Sequence, residues 1–224
     1  MPLYLVATPI GNLEDITIRA IRTLKEVDLI AAEDTRHSGI LLKHYAIATP
    51  STSFHSHSSD AKTKALVEEL RLGKNIALIT DAGTPGISDP AWTLVQGALA
   101  ADIPVIPIPG PAAFLTALMG SGLPMNEFLY LGFIPAKKGR HTLFESIRNE
   151  TRTVVLYESP HRLTKTLAQM LEVLGPDRRI VLARELTKIH ETFHRGTLDV
   201  LLQQAKKQPF KGEMVLLVAP ENFS

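Results

Sequence analysis

Several short loops bring together side chains capable of chemistry, and each follows an apolar run. Glu33-Asp34-Thr35-Arg36 sets two carboxylates and a guanidinium behind DLIAAE. These residues suit either the polar rim of a substrate site or a local ion pair in which Thr35 caps the next helix. His55 and His57 share one face of an extended segment and could begin a metal site. No third ligand is apparent, so no metal is expected, and hydrogen bonding to substrate or structure is preferred. Asp81-Ala82-Gly83-Thr84-Pro85-Gly86-Ile87-Ser88-Asp89-Pro90 is dense in glycine, which permits close backbone approach, and in proline, which limits loop freedom. That density favours ligand binding. Pro107–Ala113 (PIPGPAA) puts small Ala112 and Ala113 in the first turn of a helix, where a flat ligand could lie close or helices could pack tightly. Thr8-Pro9-Ile10-Gly11-Asn12 reads as a tight strand-to-helix turn. Neither GxGxxG nor GxxxxGK[ST] occurs, which excludes a standard dinucleotide fingerprint and the P-loop NTPases. The second half adds Tyr157–Arg162 (YESPHR), Arg184–Lys188 (RELTK) and the basic Pro135–His141 (PAKKGRH), either a solvated charge run or a phosphate contact.

Alternating strands and helices must position these loops. Strand patterns are expected over 3–8, 28–33, 51–55, 75–80 and 105–108, separated by helices over 16–27, 38–45, 60–72, 89–101 and 111–120. Asp60 and Asp89 are expected N-caps, with Pro90 at a first helical position. The alternation resumes with strands over 128–133, 153–157, 179–183, 191–195 and 214–219 and helices over 140–149, 161–174 and 197–205. The fold class expected is α/β, with helices on the faces of the sheets and chemistry in loops leaving strand C-termini. The Gly120–Asn126 segment (GSGLPMN) marks the expected boundary, giving domains 1–122 and 123–224.

Composition narrows the class. The chain has 224 residues, no cysteine and a formal net charge of +1. Disulfide scaffolds, thiol nucleophiles and cysteine-ligated metals are excluded. The charge is uneven, −3 over residues 1–125 and +4 over 126–224, which suggests two functional surfaces. No basic leader and no apolar run of about 20 residues is present, so a cytoplasmic location and no membrane partner are expected.

Eight segments in order complete the reading: TPIGNLEDITIRA, AAEDTRHSGILL, DAGTPGISDP, PIPGPAA, GFIPAKKG, YESPHRL, RELTKIHE and KGEMVLLV. Together, over residues 3–219, they closely resemble the ribosomal RNA methyltransferases of the tetrapyrrole methylase superfamily. The resemblance implies two α/β domains of the tetrapyrrole methylase type with an S-adenosylmethionine cleft between them, and usually a homodimer. The implied reaction is 2′-O-methylation of a cytidine ribose in the decoding region of small-subunit (16S) ribosomal RNA, within the 30S subunit. By the same resemblance, Pro9, Gly11, Asp81, Ala82, Gly83, Ile87, Ala112, Ala113, Tyr157, Glu158 and Leu186 would contact the cofactor.

A ribose hydroxyl is a poor nucleophile and needs a base or strong acceptor. Candidates are Glu33, Asp34, His57 and Glu185, with Arg36 and Lys188 orienting substrate or screening charge. Lys137, Lys138, Arg140, Arg178 and Arg179 form the expected phosphate-contact surface. The family's His-x-His-Asn-Glu segment departs here to Ser58 and Ser59, and members often continue beyond the last strand with a helical extension. The competing readings are a precorrin or uroporphyrinogen C-methylase, and a non-catalytic S-adenosylmethionine-binding, ribosome-associated module. EDTR, YESPHR and RELTK are not the motifs of the C-methylases.

Overall fold

Residues 76–79 are apolar and buried at every position. A strand without alternation must be covered on both faces, as in a parallel sheet between helix layers. The computed structural model describes residues 1–55, 58–87 and 91–223 and divides into two units, Met1–Ala112 and Ala113–Ser224.

The first unit runs β1 (Leu3–Val6), α1 (Ile18–Glu26), β2 (Leu29–Ala32), α2 (Thr35–His44), β3 (Ser51–Ser53), α3 (Asp60–Arg71), β4 (Ile76–Ile79), α4 (Ala91–Leu99) and β5 (Val105–Ile108). The strands form one sheet in the order β3-β2-β4-β1-β5, every pair parallel. Ala20 and Leu24 of α1 and Leu41 and Leu42 of α2 pack on one face with Ile30 and Ile79. Leu66 and Leu70 of α3 and Leu94 and Ala98 of α4 cover the other with Ile76 and Leu78. The chain works outward from β1 to β3, returns to β4, then crosses β1 to reach β5. Loops leaving the C-terminal ends of β1 and β4 therefore diverge, which is the topological switch where α/β sheets bind ligands.

Caps explain where helices begin. The expected helix from residue 16 is a 3₁₀ turn, Leu13–Asp15, followed by α1, because Thr17 is extended and its side chain accepts from the Ala20 N–H at 3.0 Å. Asp34, not Thr35, caps α2, so that helix starts earlier than expected. Ser59, rather than Asp60, caps α3. The expected cap Asp89 with Pro90 lies outside the described residues.

The second unit runs α5 (Ala113–Ser121), β6 (Phe128–Phe133), α6 (Arg140–Ser146), β7 (Thr153–Glu158), α7 (Pro160–Leu174), β8 (Arg179–Arg184), β9 (Thr192–Thr197), α8 (Leu198–Lys207) and β10 (Met214–Val218). Its sheet is mixed, in the order β6-β7-β10-β8-β9, with only β6 and β7 parallel. Phe144, Leu156, Leu167, Leu182, Leu201 and Leu216 belong to its core. The units divide one helix before the boundary expected at residue 122. The reason is that α5 packs on β7, β8, β9 and β10, the Phe114 ring lies 4.6 Å from that of Tyr130, and Arg195 Nε donates to the Ser121 carbonyl at 3.0 Å. Gly120 belongs to α5, and Gly122, at φ +80°, follows that helix inside the second unit rather than in a linker. Among the described residues, no helix is long and apolar enough to cross a membrane.

Candidate active site

Four loops at the C-terminal edge of the first sheet are tied together. Thr8, after β1, donates its N–H to the Gly83 carbonyl at 2.9 Å and accepts from the Gly83 N–H at 3.0 Å. Gly83 holds φ +85°, a left-handed conformation that favours glycine. Thr8 Oγ1 donates to the Thr80 carbonyl at 3.1 Å, and Thr84 Oγ1 donates to the Pro111 carbonyl at 3.0 Å. The loop after β2 joins by a reciprocal pair. The Asp34 N–H donates to Asp81 Oδ1 at 3.0 Å, and the Asp81 N–H donates to Glu33 Oε2 at 3.3 Å.

These ties leave a pocket of about 290 Å³ lined by Thr8, Pro9, Gly11, Leu13, His37, Ser38, Ile40, Leu41, Thr80 and Asp81. It lies at the ends of β1 and β4 and against α2. Among the described residues, Asp81 Oδ2 and Glu33 Oε1 accept no hydrogen bond, whereas their partner oxygens brace the loops. Ser38 is buried and, among the described residues, its hydroxyl has no hydrogen-bond partner.

Asp34 has a different environment from Glu33. Its Oδ1 accepts from the Arg36 N–H at 2.8 Å, and its carboxylate holds the Arg36 guanidinium at 2.7 and 3.1 Å. That guanidinium holds the Asp34 carboxyl well below the usual carboxylate range. Of the structural reading of EDTR the ion pair is present, but the cap is Asp34 rather than Thr35, and Arg36 is 90% exposed, next in sequence to the pocket residues His37 and Ser38.

Of the other cofactor candidates in the first unit, Ala82 and Ile87 are exposed on the β4 loop, and Ala112 is half-buried. Ala113 opens α5 in the second unit. His57 lies outside the described residues.

In the second unit, Tyr157 is half-buried beside the Tyr130 and Phe133 rings, and burial pushes its hydroxyl above the usual range. Leu186 is buried. The Glu158 carboxylate is fully buried and taken up by protein donors: the Ser159 N–H at 2.7 Å, Thr166 Oγ1 at 2.5 Å, Arg162 at 2.6 Å and Arg140 at 3.3 Å. Glu185 accepts from the Glu213 N–H at 2.8 Å and from Lys188 at 3.1 Å. The backbone donor and then the ammonium lower the Glu185 pKa. Burial works against the Lys188 charge, but Glu213 and Glu185 outweigh it and raise its pKa.

The expected phosphate surface is smaller than its arginines suggested. Arg140 is buried on Glu158, Thr166 and Gln169. Arg178 is buried on the carbonyls of Ala219 and Arg148. Both guanidiniums satisfy internal acceptors, which leaves Lys137, Lys138 and Arg179 exposed. Sequence reasoning also passed over His37, Ser38 and Ile40. The available signal was a serine three residues before Leu41, on the apolar face of a helix.

A family model described as Tetrapyrrole (Corrin/Porphyrin) Methylases matches residues 2–202. A relative from Synechocystis named ribosomal RNA small subunit methyltransferase I is 51% identical, over 97% of this chain and 78% of its own length. Proteins of that name from Haemophilus influenzae and Escherichia coli O157:H7 are 53% and 51% identical, each over 96% of this chain and 77% of theirs. A uroporphyrin-III-C-methyltransferase structure from Thermus thermophilus superposes with a TM-score of 0.69 at 20% identity, covering 98% of this chain and 94% of that one, and shares the fold.

The cofactor is S-adenosylmethionine, which supplies a methyl group carried on a cationic sulfonium. The first unit's loops fit such a group: Gly83 allows close backbone approach, and one Asp81 carboxylate oxygen, which accepts no hydrogen bond among the described residues, has the chemistry to take an ammonium or ribose hydroxyl. On this sequence similarity and fold, the chain belongs to the tetrapyrrole methylase family and falls among the relatives named ribosomal RNA small subunit methyltransferase I.

Proposed function

We propose that the protein transfers the methyl group of S-adenosylmethionine to the 2′-hydroxyl of a cytidine ribose in the decoding region of small-subunit ribosomal RNA. The observation that carries this reading is identity of about 50%, over nearly the whole chain, to relatives named for that RNA. The assembled 30S subunit is the proposed substrate, the cytoplasm the place of action and a homodimer the working form.

Methyl transfer is an in-line displacement, so the protein's main task is alignment. Pro9, Gly11, Asp81, Ala82, Gly83 and Ile87 would hold the cofactor from the first unit, with Ala112, Ala113, Tyr157 and Leu186 as further contacts. Glu158, with its carboxylate filled by protein donors, would act by supporting the β7–α7 loop. Glu33 is the acceptor for the ribose proton: Oε2 is braced by the Asp81 N–H, and Oε1 is free among the described residues. Asp34, gripped by Arg36, serves as cap and anchor, and Arg36 supplies positive charge to substrate phosphate. Glu185 and Lys188 neutralise one another and shape their loop.

The test is tritiated-methyl transfer to 30S subunits from a strain lacking the modification, followed by nuclease mapping of the labelled nucleotide. Free RNA and uroporphyrinogen are offered in parallel. Label on a cytidine ribose of the 30S RNA is the expected result. Label on the tetrapyrrole alone, or cofactor binding without transfer, would overturn the reading.

A further inference from the structure

Arg140 opens α6 at the end of a basic loop, yet it is only 6% exposed. All three nitrogens of its guanidinium are engaged. Nη1 donates to the Pro135 carbonyl at 2.9 Å and to Glu158 Oε2 at 3.3 Å, Nη2 to Thr166 Oγ1 at 2.5 Å, and Nε to Gln169 Oε1 at 2.8 Å. The bond to Pro135 runs back along the loop, and the others reach β7 and α7. One side chain thus closes the loop and fastens it to two neighbouring elements. The other end is fixed as well: Ile134 is buried, and its N–H donates to the Tyr157 carbonyl at 3.0 Å.

Between these anchors residues 135–139 are exposed. Lys137 and Lys138 stand there with no ion pair among the described residues. A buried ion pair is weak evidence for stability, because desolvation offsets its attraction and apolar residues of the same volume often do as well. Its better use is to fix geometry, and a planar guanidinium with four acceptors around it does so directionally. The geometry fixed here presents two adjacent ammonium groups, which suit the phosphates of a nucleic-acid backbone. A loop already held in place does not pay the entropy of ordering when it binds.

We propose that Arg140 is a positioning residue: paired with Glu158, it holds the 135–139 loop so that Lys137 and Lys138 meet the ribosomal RNA backbone. The inference rests on the ribosomal RNA reading above. Arg140 is itself buried and acts only through the two lysines.

Arg140→Lys tests it, because the charge is kept but a single ammonium cannot serve all four acceptors. Trypsin cleavage after Lys137 and Lys138 under native conditions should quicken about fivefold or more as the loop opens. The Kd for 30S subunits should rise about tenfold, the ordering entropy of roughly one residue. S-adenosylhomocysteine affinity should stay within about twofold. In a Lys137→Glu, Lys138→Glu background the same change should weaken 30S binding by less than about twofold, since its route through the lysines is gone. Gln169→Ala removes only the Nε bond; it should shift cleavage and 30S affinity in the same direction by less, and it decides the matter if Arg140→Lys does not fold. An arginine with only a structural role would lower the melting temperature and leave 30S affinity unchanged. That result, wild-type cleavage, or an equal loss of affinity in the background without the lysines would overturn the proposal alone. A wild-type protein that does not bind 30S subunits would overturn the RNA reading and this inference together.

Discussion

Asp34 and Asp81 are 47 residues apart, yet the backbone N–H of the first donates to the carboxylate of the second at 3.0 Å. The bond fastens the loop after β2 to the loop after β4. Its return partner, from the Asp81 N–H to Glu33, makes the pair reciprocal. One carboxylate oxygen thus braces two loops, while the other accepts no hydrogen bond among the described residues.

Charge and bracing at Asp81 are separable. Asp81→Asn keeps an oxygen to accept the Asp34 N–H and should unfold within about 0.5 kcal/mol of wild type. Asp81→Ala leaves that N–H unsatisfied and should lose about 1–2 kcal/mol. Both should weaken S-adenosylhomocysteine binding. Urea unfolding and calorimetry measure the two effects, and equal stability of the variants would exclude the bracing role.

Glu33→Gln should keep the fold and cofactor affinity while lowering kcat about 100-fold, the low end for general base catalysis. Asp34→Asn should leave the pH dependence of kcat between pH 5 and 9 unchanged. Arg36 holds that carboxyl well below the usual range, so it does not change charge in that window. A pH–rate profile that loses its acid limb in Asp34→Asn would move the base from Glu33 to Asp34.

Glu158 pairs with two guanidiniums in the second unit, those of Arg140 and Arg162. Removing one member of a buried ion cluster strands the others, so Glu158→Ala should destabilise by about 3–5 kcal/mol. The comparison is denaturant unfolding of Glu158→Ala against Lys165→Ala on the exposed side of α7. Near-equal midpoints would show that the cluster contributes nothing net.

The acid sensitivity of the fold should trace in part to Glu150. The Arg152 guanidinium, bonded at 2.8 Å, lowers its carboxyl from 4.5 to about 2. A carboxylate depressed in the folded state adds stability above its unfolded value and loses it as pH falls through the folded one. Glu150→Gln should therefore flatten the decline in melting temperature between about pH 4.5 and pH 2 and change little at pH 7. Parallel curves for the two proteins would refute the assignment.

Lys137→Glu with Lys138→Glu should weaken 30S binding and reduce the steepness of its salt dependence, because fewer counterions are released. Cofactor affinity should stay within twofold. Nitrocellulose filter binding across salt concentrations measures both slope and affinity, and an unchanged slope would remove these lysines from the RNA surface.

Much of this was legible from residue order alone. Apolar runs such as Ile76–Ile79, amphipathic helices such as α7, and the glycines and prolines between them are local signals, and they set the α/β alternation and the loops that carry chemistry. Side-chain partners are not local. Arg140 and Lys137 stand in one basic loop, yet one is buried on Glu158 while the other is exposed. Nothing in their spacing distinguishes them, because the acceptors lie on β7 and α7. The same holds for α5, which reads as the end of the first domain until its packing on the second sheet is seen. Sequence by itself determined the elements, the family and the loops at strand ends. Tertiary structure decided which carboxylates are free, which arginines are buried and that Ser38 faces a pocket, because burial and hydrogen bonding depend on groups tens of residues away in the chain.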